Sequence, residues 1–356
     1  MKISKRFEFN GGRLFVGANS AEGFVSFYDT ILSDEKIRRI YIIKGGPGTG
    51  KSRFMNDAAV RAEGCGLSVE RYYCSSDPDS LDAVVIGGEC ALVDGTAPHS
   101  VEATVPGARE EIIDLGAFWD SERLEDSFEK IKELSNKKSE SYKRAYRYLE
   151  AANNVKEINA QLVLPLFNEG KAKASIDRFF SEIKKGGGYA VSVGIICSIG
   201  MKGRVRLDTY EHFADKVYVI NDFYGMASLY MRLLVKKAMD TDTPVRISYD
   251  PINTQSPDAV FFPNDKKAFV LLNEKGAVVG DKTINISRFA DSALLSQIRS
   301  EYRLNEKLYE ALLLSAQEVL REAGEYHFAL EELYSECMDF YSKEVFCNNF
   351  LNNLFS

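Results

Sequence analysis

Histidine and tryptophan are the scarcest residues here, three and one among 356. The six cysteines are scattered and form no CxxC pair, so no zinc-type cluster can be assembled by spacing. They read as buried thiols of a reducing compartment. Long hydrophobic runs are missing too. The longest, Tyr189 to Met201, is too short and too broken by glycine and serine to span a bilayer. The start, MKISKRFEFNGG, has basic residues with no apolar core behind them, so no secretory signal is expected. A net charge of −7 gives no cause to expect nucleic acid or an anionic membrane as partner. A cytoplasmic protein without a membrane partner is the expectation.

What is present is a repeat. Ile40-Tyr-Ile-Ile-Lys-Gly-Gly-Pro-Gly48 runs parallel to Val217-Tyr-Val-Ile-Asn-Asp-Phe-Tyr-Gly225 without a gap. Ser80-Leu-Asp-Ala-Val84 faces Ser256-Pro-Asp-Ala-Val260, and Ile113 to Asp120 faces Ile284 to Asp291. Three islands in one order indicate two tandem copies, divided at the helix-breaking Lys184-Lys-Gly-Gly-Gly188 into 1–185 and 186–356. In each copy an apolar run (Ile40–Ile43; Val217–Ile220) suits a buried parallel strand, followed by a turn and a helix (about 51–63; about 228–239). Two further strands are expected at Leu67–Cys74 and Cys90–Val93, and in the second copy at Val245–Tyr249 and Ala268–Leu272. Helical extensions then fill about 121–183 and about 291–345, with stripes at Leu124, Phe128, Ile131 and at Leu294, Ile298, Tyr302. The expected fold is α/β: two tandem P-loop NTPase-like domains with mainly parallel sheets, each with a helical appendage.

Chemistry is carried by Gly45, Gly46, Pro47, Gly48, Thr49, Gly50, Lys51 and Ser52, which satisfy G-x-x-x-x-G-K-[ST] at every fixed position. Glycines let successive backbone N–H groups converge on phosphate oxygens, and the following helix adds the positive end of its dipole. Lys51 then reaches the terminal phosphates and Ser52 ligates Mg²⁺. A magnesium carboxylate is expected at a neighbouring strand end, and Asp94, closing Cys90-Ala-Leu-Val93, takes that place. Gly95 follows it, so a glutamate to activate water is missing from its usual position. His99 is the nearby substitute. The loop Cys74 to Asp82 offers carboxylates and hydroxyls at the same edge, equally suited to a turn with a helix N-cap. Asp82 recurs as Asp258, which favours a structural role and leaves Asp77 as the residue to orient a nucleophile.

The second copy reads Asp222-Phe-Tyr-Gly225-Met-Ala-Ser228-Leu229 where the motif should stand. An aspartate at the phosphate position repels a triphosphate. This half is expected to supply an interface, a substrate pocket or a basic residue reaching the first site, with Arg204, Arg206, Arg232 and Arg288 as unranked candidates. Tyr142-Lys-Arg-Ala-Tyr146-Arg-Tyr148 reads as a helix face between acids rather than a nucleic-acid contact.

With GGPGTGKS at 45–52, CSSDPDSLD at 74–82, VDGTAPH at 93–99 and IIDLGAFWD at 112–120, the chain resembles, over nearly its whole length, a group of tandem P-loop proteins of spore-forming Firmicutes. These are described as ATPases or nucleotide-kinase-like proteins without an established activity. The resemblance implies nucleotide binding and cytoplasmic placement. The group carries a GxPGTGKS-like loop in both halves, and this chain departs from it in the second. The functional expectation is an enzyme using ATP and Mg²⁺ at one site, an ATPase or a phosphotransferase with an unidentified acceptor. The alternative is a nucleotide-gated module that holds a protein partner with little turnover. No [NT]-K-x-D motif points to GTP, and no LSGGQ-like segment points to an ABC-type protein.

Overall fold

The structure, a computed structural model, describes residues 7–97, 100–186, 190–222, 224–272 and 280–356. His99, and Gly187 and Gly188 of the expected seam, lie outside the described residues. The chain is α/β and its halves repeat one order of elements. The first half runs β1 (Arg13–Phe15), the hairpin β2 (Gly17–Ser20) and β3 (Gly23–Ser26), α1 (Asp29–Leu32), β4 (Arg39–Lys44) and α2 (Lys51–Gly64). It continues through β5 (Val69–Tyr73), β6 (Leu81–Ile86), β7 (Cys90–Asp94), β8 (Glu110–Asp114), α3 (Ser121–Asp126), α4 (Phe128–Val163) and α5 (Glu169–Phe180). The second half answers with β9 (Val191–Val193), β10 (Cys197–Gly200), β11 (Gly203–Arg206), α6 (Thr209–Phe213), β12 (Lys216–Asn221) and α7 (Ala227–Asp240). Then follow β13 (Val245–Tyr249), β14 (Pro257–Phe262), β15 (Lys267–Leu271), β16 (Lys282–Asn285), α8 (Ser292–Ser335) and α9 (Phe340–Leu354).

Each half holds a six-stranded sheet, in the order β1-β5-β6-β7-β4-β8 and β9-β13-β14-β15-β12-β16. The sheets are mixed but mostly parallel: only β6 and β14 run against their neighbours. These two strands were not expected, and Asp82 and Asp258 therefore lie in strands rather than at helix caps. The apolar run at 40–43 is buried on both sides because the sheets pack face to face. Ile40 and Ile42 join Val217 and Val219 in the core between the sheets, while Tyr41 and Ile43 turn outward to Phe54 and Ala58 of α2. Tyr218 and Ile220 likewise turn outward to Tyr230 and Leu234 of α7. The alternation is the period of two that a pleated strand imposes.

The helical parts are exchanged between the halves. Helices α4 and α8 lie side by side and antiparallel, since Arg144 meets Glu322 while Asn159 meets Glu306 at 2.8 Å. Each thus carries its chain across to the other half. The α5 residues Ala172, Ile176, Phe179 and Phe180 complete the core of the second half, and Cys347 and Leu351 of α9 complete that of the first. The extensions are therefore not appendages of their own halves. The stripe expected at Leu124, Phe128 and Ile131 is not buried, because the helix breaks at Ser127 and Phe128 is exposed. In α8 the buried residue is Leu295 rather than Leu294, followed by Tyr302. The partner helix, not the local period alone, decides which face is covered.

Reciprocal contacts lock the arrangement. Residue 119 bridges to 338, and residue 167 to 290. The tip of the β2–β3 hairpin donates from Ala21 N to Ile252 O, and the tip of β10–β11 from Met201 N to Ser76 O. Such paired exchange is what an approximate two-fold axis between the halves requires. Across the interface between the sheets Glu70 of β5 accepts from Arg246 of β13 at 2.8 Å, both side chains fully buried.

Candidate functional site

Between β4 and α2 the chain makes a tight glycine loop. Gly48 and Gly50 have φ of 72° and 80°, in the left-handed region that favours glycine. Gly48 also has no room for a side chain, since a β-carbon there would lie 2.5 Å from the carbonyl oxygen of Glu331 in α8. Gly50 is the N-cap of α2 and offers no side chain to cap it. Among the described residues, the N–H groups of Thr49, Gly50, Lys51 and Ser52 make no hydrogen bond within the protein. The loop is stiffened from inside, because Thr49 Oγ1 donates to Gly46 O at 2.9 Å. Lys51 folds back over it, with Nζ donating to Gly45 O at 2.9 Å and Gly46 O at 2.8 Å.

The parallel register of β4 with β7 puts Asp94 beside Ile43, at the mouth of this loop. Its carboxylate lies 3.6 Å from Lys51 Nζ and accepts from Thr96 N and Oγ1. Burial pushes its pKa up, against the pull of Lys51. Ser52 Oγ accepts from Leu81 N at 2.9 Å, which ties the first turn of α2 to the start of β6. Asp82, next along β6, is buried and close enough for its charge to act on Asp94. Ser52 and Asp94 supply a hydroxyl and a carboxylate, the hard oxygen donors that Mg²⁺ accepts. No group of three His, Cys, Asp or Glu able to hold a metal occurs among the described residues. A cation here would take its remaining ligands from phosphate and water.

Of the other expected site residues, Asp77 is turned elsewhere. Its carboxylate accepts from Ser80 Oγ at 3.0 Å and lies 3.9 Å from Lys202 of the other half, rather than meeting Lys51 or Ser52. Arg204 and Arg206 pair within the second half, with Asp250 and Glu211.

Three charged residues near the loop were not foreseen. Glu331 of α8 lies over it, its pKa held down by His327, by the Gly48 N–H and by Lys51. Lys138 of α4 is depressed by burial and by the charge of Lys51, against the opposing pull of Glu331. Lys343 of α9 is 3% exposed, and its Nζ would stand 2.9 Å from a β-carbon on Gly50. Trp119, the chain's one tryptophan, and Tyr334 flank Gly46.

The corresponding loop of the second half is built differently. Asp222 stands where Gly45 does and turns its carboxylate into its own loop. It accepts from Tyr224 N at 3.3 Å, Met226 N at 3.0 Å and Ala227 N at 2.8 Å. Burial raises its pKa, and those three N–H groups oppose the rise. The concavity before α7 thus already holds an anion. Searches with the whole chain find no matching protein-family model, and no curated protein or solved structure significantly similar to it.

Proposed function

We propose that the chain binds a nucleoside triphosphate, ATP, together with Mg²⁺ through the loop at 45–52. One observation carries this reading: the N-terminus of α2 presents unbonded N–H groups from Thr49 to Ser52, flanked by Lys51 and Asp94. Convergent backbone donors, a helix dipole and a lysine are what a phosphate chain requires. On this reading Lys51 leaves the loop carbonyls to meet the terminal phosphates. Ser52 and Asp94 hold the cation, directly or through water. The reaction is hydrolysis or transfer of the terminal phosphoryl group at this one site, and the resemblance to tandem P-loop ATPases points the same way. Lys51 remains the proposed catalytic lysine, with His99, or else Asp77 once released from Ser80 and Lys202, to orient a nucleophile.

A second reading has its own support. The site is covered by α8 and α9 of the other half, and Gly95 stands where an activating glutamate would follow Asp94. Both suit a module in which the nucleotide sets how the halves hold together, with little turnover. Calorimetric titration of ATP with Mg²⁺, beside steady-state phosphate release, tests both readings in the wild type and Lys51→Ala. Affinity is expected to fall about a hundredfold in Lys51→Ala, the loss of a charge-assisted contact to phosphate. Unchanged affinity would sink the proposal, and binding without release under any acceptor would leave only the module.

A further inference from the structure

Lys343 presents a problem that the fold does not solve. Its ammonium makes no hydrogen bond and no ion pair among the described residues, although the residue is 3% exposed. The stem of the side chain is covered, while the ammonium keeps a narrow opening to water and has no counter-charge beside it among the described residues. The position worsens matters, because the ammonium stands beside Gly50, at the positive end of the α2 dipole. Glu331 of α8, which lies over the loop, is engaged by His327 and Gly48. A bound anion between Lys343 and the first turn of α2 would satisfy both.

The second half provides the control. The N-caps Asn168 of α5 and Asp339 of α9 correspond, as do the bridging residues 167 and 338, by one constant offset (339 − 168 = 338 − 167 = 171). Lys343 therefore corresponds to Ala172, which is fully buried in the same core as Met226 and Ala227. Where the loop holds its own carboxylate, the exchanged helix brings a methyl group. Where the loop is open, it brings an ammonium.

We infer that Lys343 is a phosphate-binding residue of the loop at 45–52, delivered across the interface by the terminal helix of the second half. The inference rests on the reading of that loop as a triphosphate site. It makes the site composite: a polyphosphate is held by backbone and Lys51 from one half and by Lys343 from the other. Binding then pins α9 to α2, which couples the ligand to the docking of the halves.

The test compares wild type, Lys343→Met, Lys343→Arg and Lys51→Ala in calorimetric titrations with ATP and Mg²⁺, and in melting without ligand. Lys343→Met is expected to bind ATP about ten- to a hundredfold more weakly, as loss of a charged hydrogen bond implies. Its unliganded form should melt no lower than wild type, since methionine fills similar space without the charge. Lys343→Arg should retain most of the affinity. Wild-type affinity in Lys343→Met, with Lys51→Ala weakened, would overturn this inference alone. A lower melting temperature in Lys343→Met, with Lys343→Arg equally weak, would mark a packing role and overturn it as well. Absence of ATP binding by wild type would remove the inference together with the reading beneath it.

Discussion

The loops before α2 and α7 occupy the same place in the repeat and solve the same electrostatic problem in opposite ways. Each ends a buried parallel strand and opens a helix whose first N–H groups lack intrahelical partners. In the second half the chain supplies the acceptor itself, through Asp222. In the first half glycine stands at that position, and the N–H groups of 49–52 meet no acceptor among the described residues. The difference extends beyond the loops, to Ala172 against Lys343 in the exchanged helices. One loop is thus closed by its own carboxylate, and the other has no such group.

The comparison can be broken most severely where the halves touch. Arg246→Met should lower stability by about 3–5 kcal/mol in chemical denaturation, because Glu70 stays buried without its cation. A change below 1 kcal/mol would mean that the unlike charges do not decide how the halves dock. Next in size is Asp222→Ala, which removes one acceptor from three N–H groups. A loss of about 2–3 kcal/mol is expected, partly restored by added sulfate if the emptied cradle admits an anion. Unchanged stability would show that Asp222 does not act as an internal anion. The smallest effect concerns Asp258, the counterpart of Asp82. Burial pushes its pKa from 3.8 to about 6, with the Ser248 hydroxyl pulling the other way. The folded chain therefore binds this proton more tightly than the unfolded one. The stability it contributes is complete below pH 3.8 and is lost as pH rises through about 6. Asp258→Asn should raise the melting temperature at pH 7.5, by an equivalent of about 1–2 kcal/mol, and show a smaller gain at pH 5. An advantage independent of pH would refute the assignment.

Much of this was legible from residue order, for physical reasons that can be named. Complete glycine spacing forces the turn at 45–50, and an apolar run ending in an acid put Asp94 at the strand end. The same run recurring at 217–220 disclosed the duplication. Strand β6 was missed because its start, Ser80-Leu-Asp, also suits a helix cap, and pairing with β5 and β7 overrode that local preference. Lys343 was out of reach for a different reason. Nothing near residue 343 says that α9 returns to the first half, since α4 and α8 carry their chains across by tertiary packing. The signal was present only as a contrast, Lys343 against Ala172, and that contrast needs the exchange to be known. The stripe at Leu124, Phe128 and Ile131 failed because the helix breaks at Ser127, which puts Leu124 on α3 and leaves Phe128 exposed at the start of α4.

The Glu70–Arg246 pair has one more meaning. The two residues hold the same place in the repeat (70 − 69 = 246 − 245, each second in its strand) and face each other across the axis. Two copies of the first half would set carboxylate against carboxylate, and two of the second would set guanidinium against guanidinium. Like halves would leave two buried like charges in contact, a cost that the unlike halves avoid. Joined in one chain, each half supplies the counter-charge that its twin lacks.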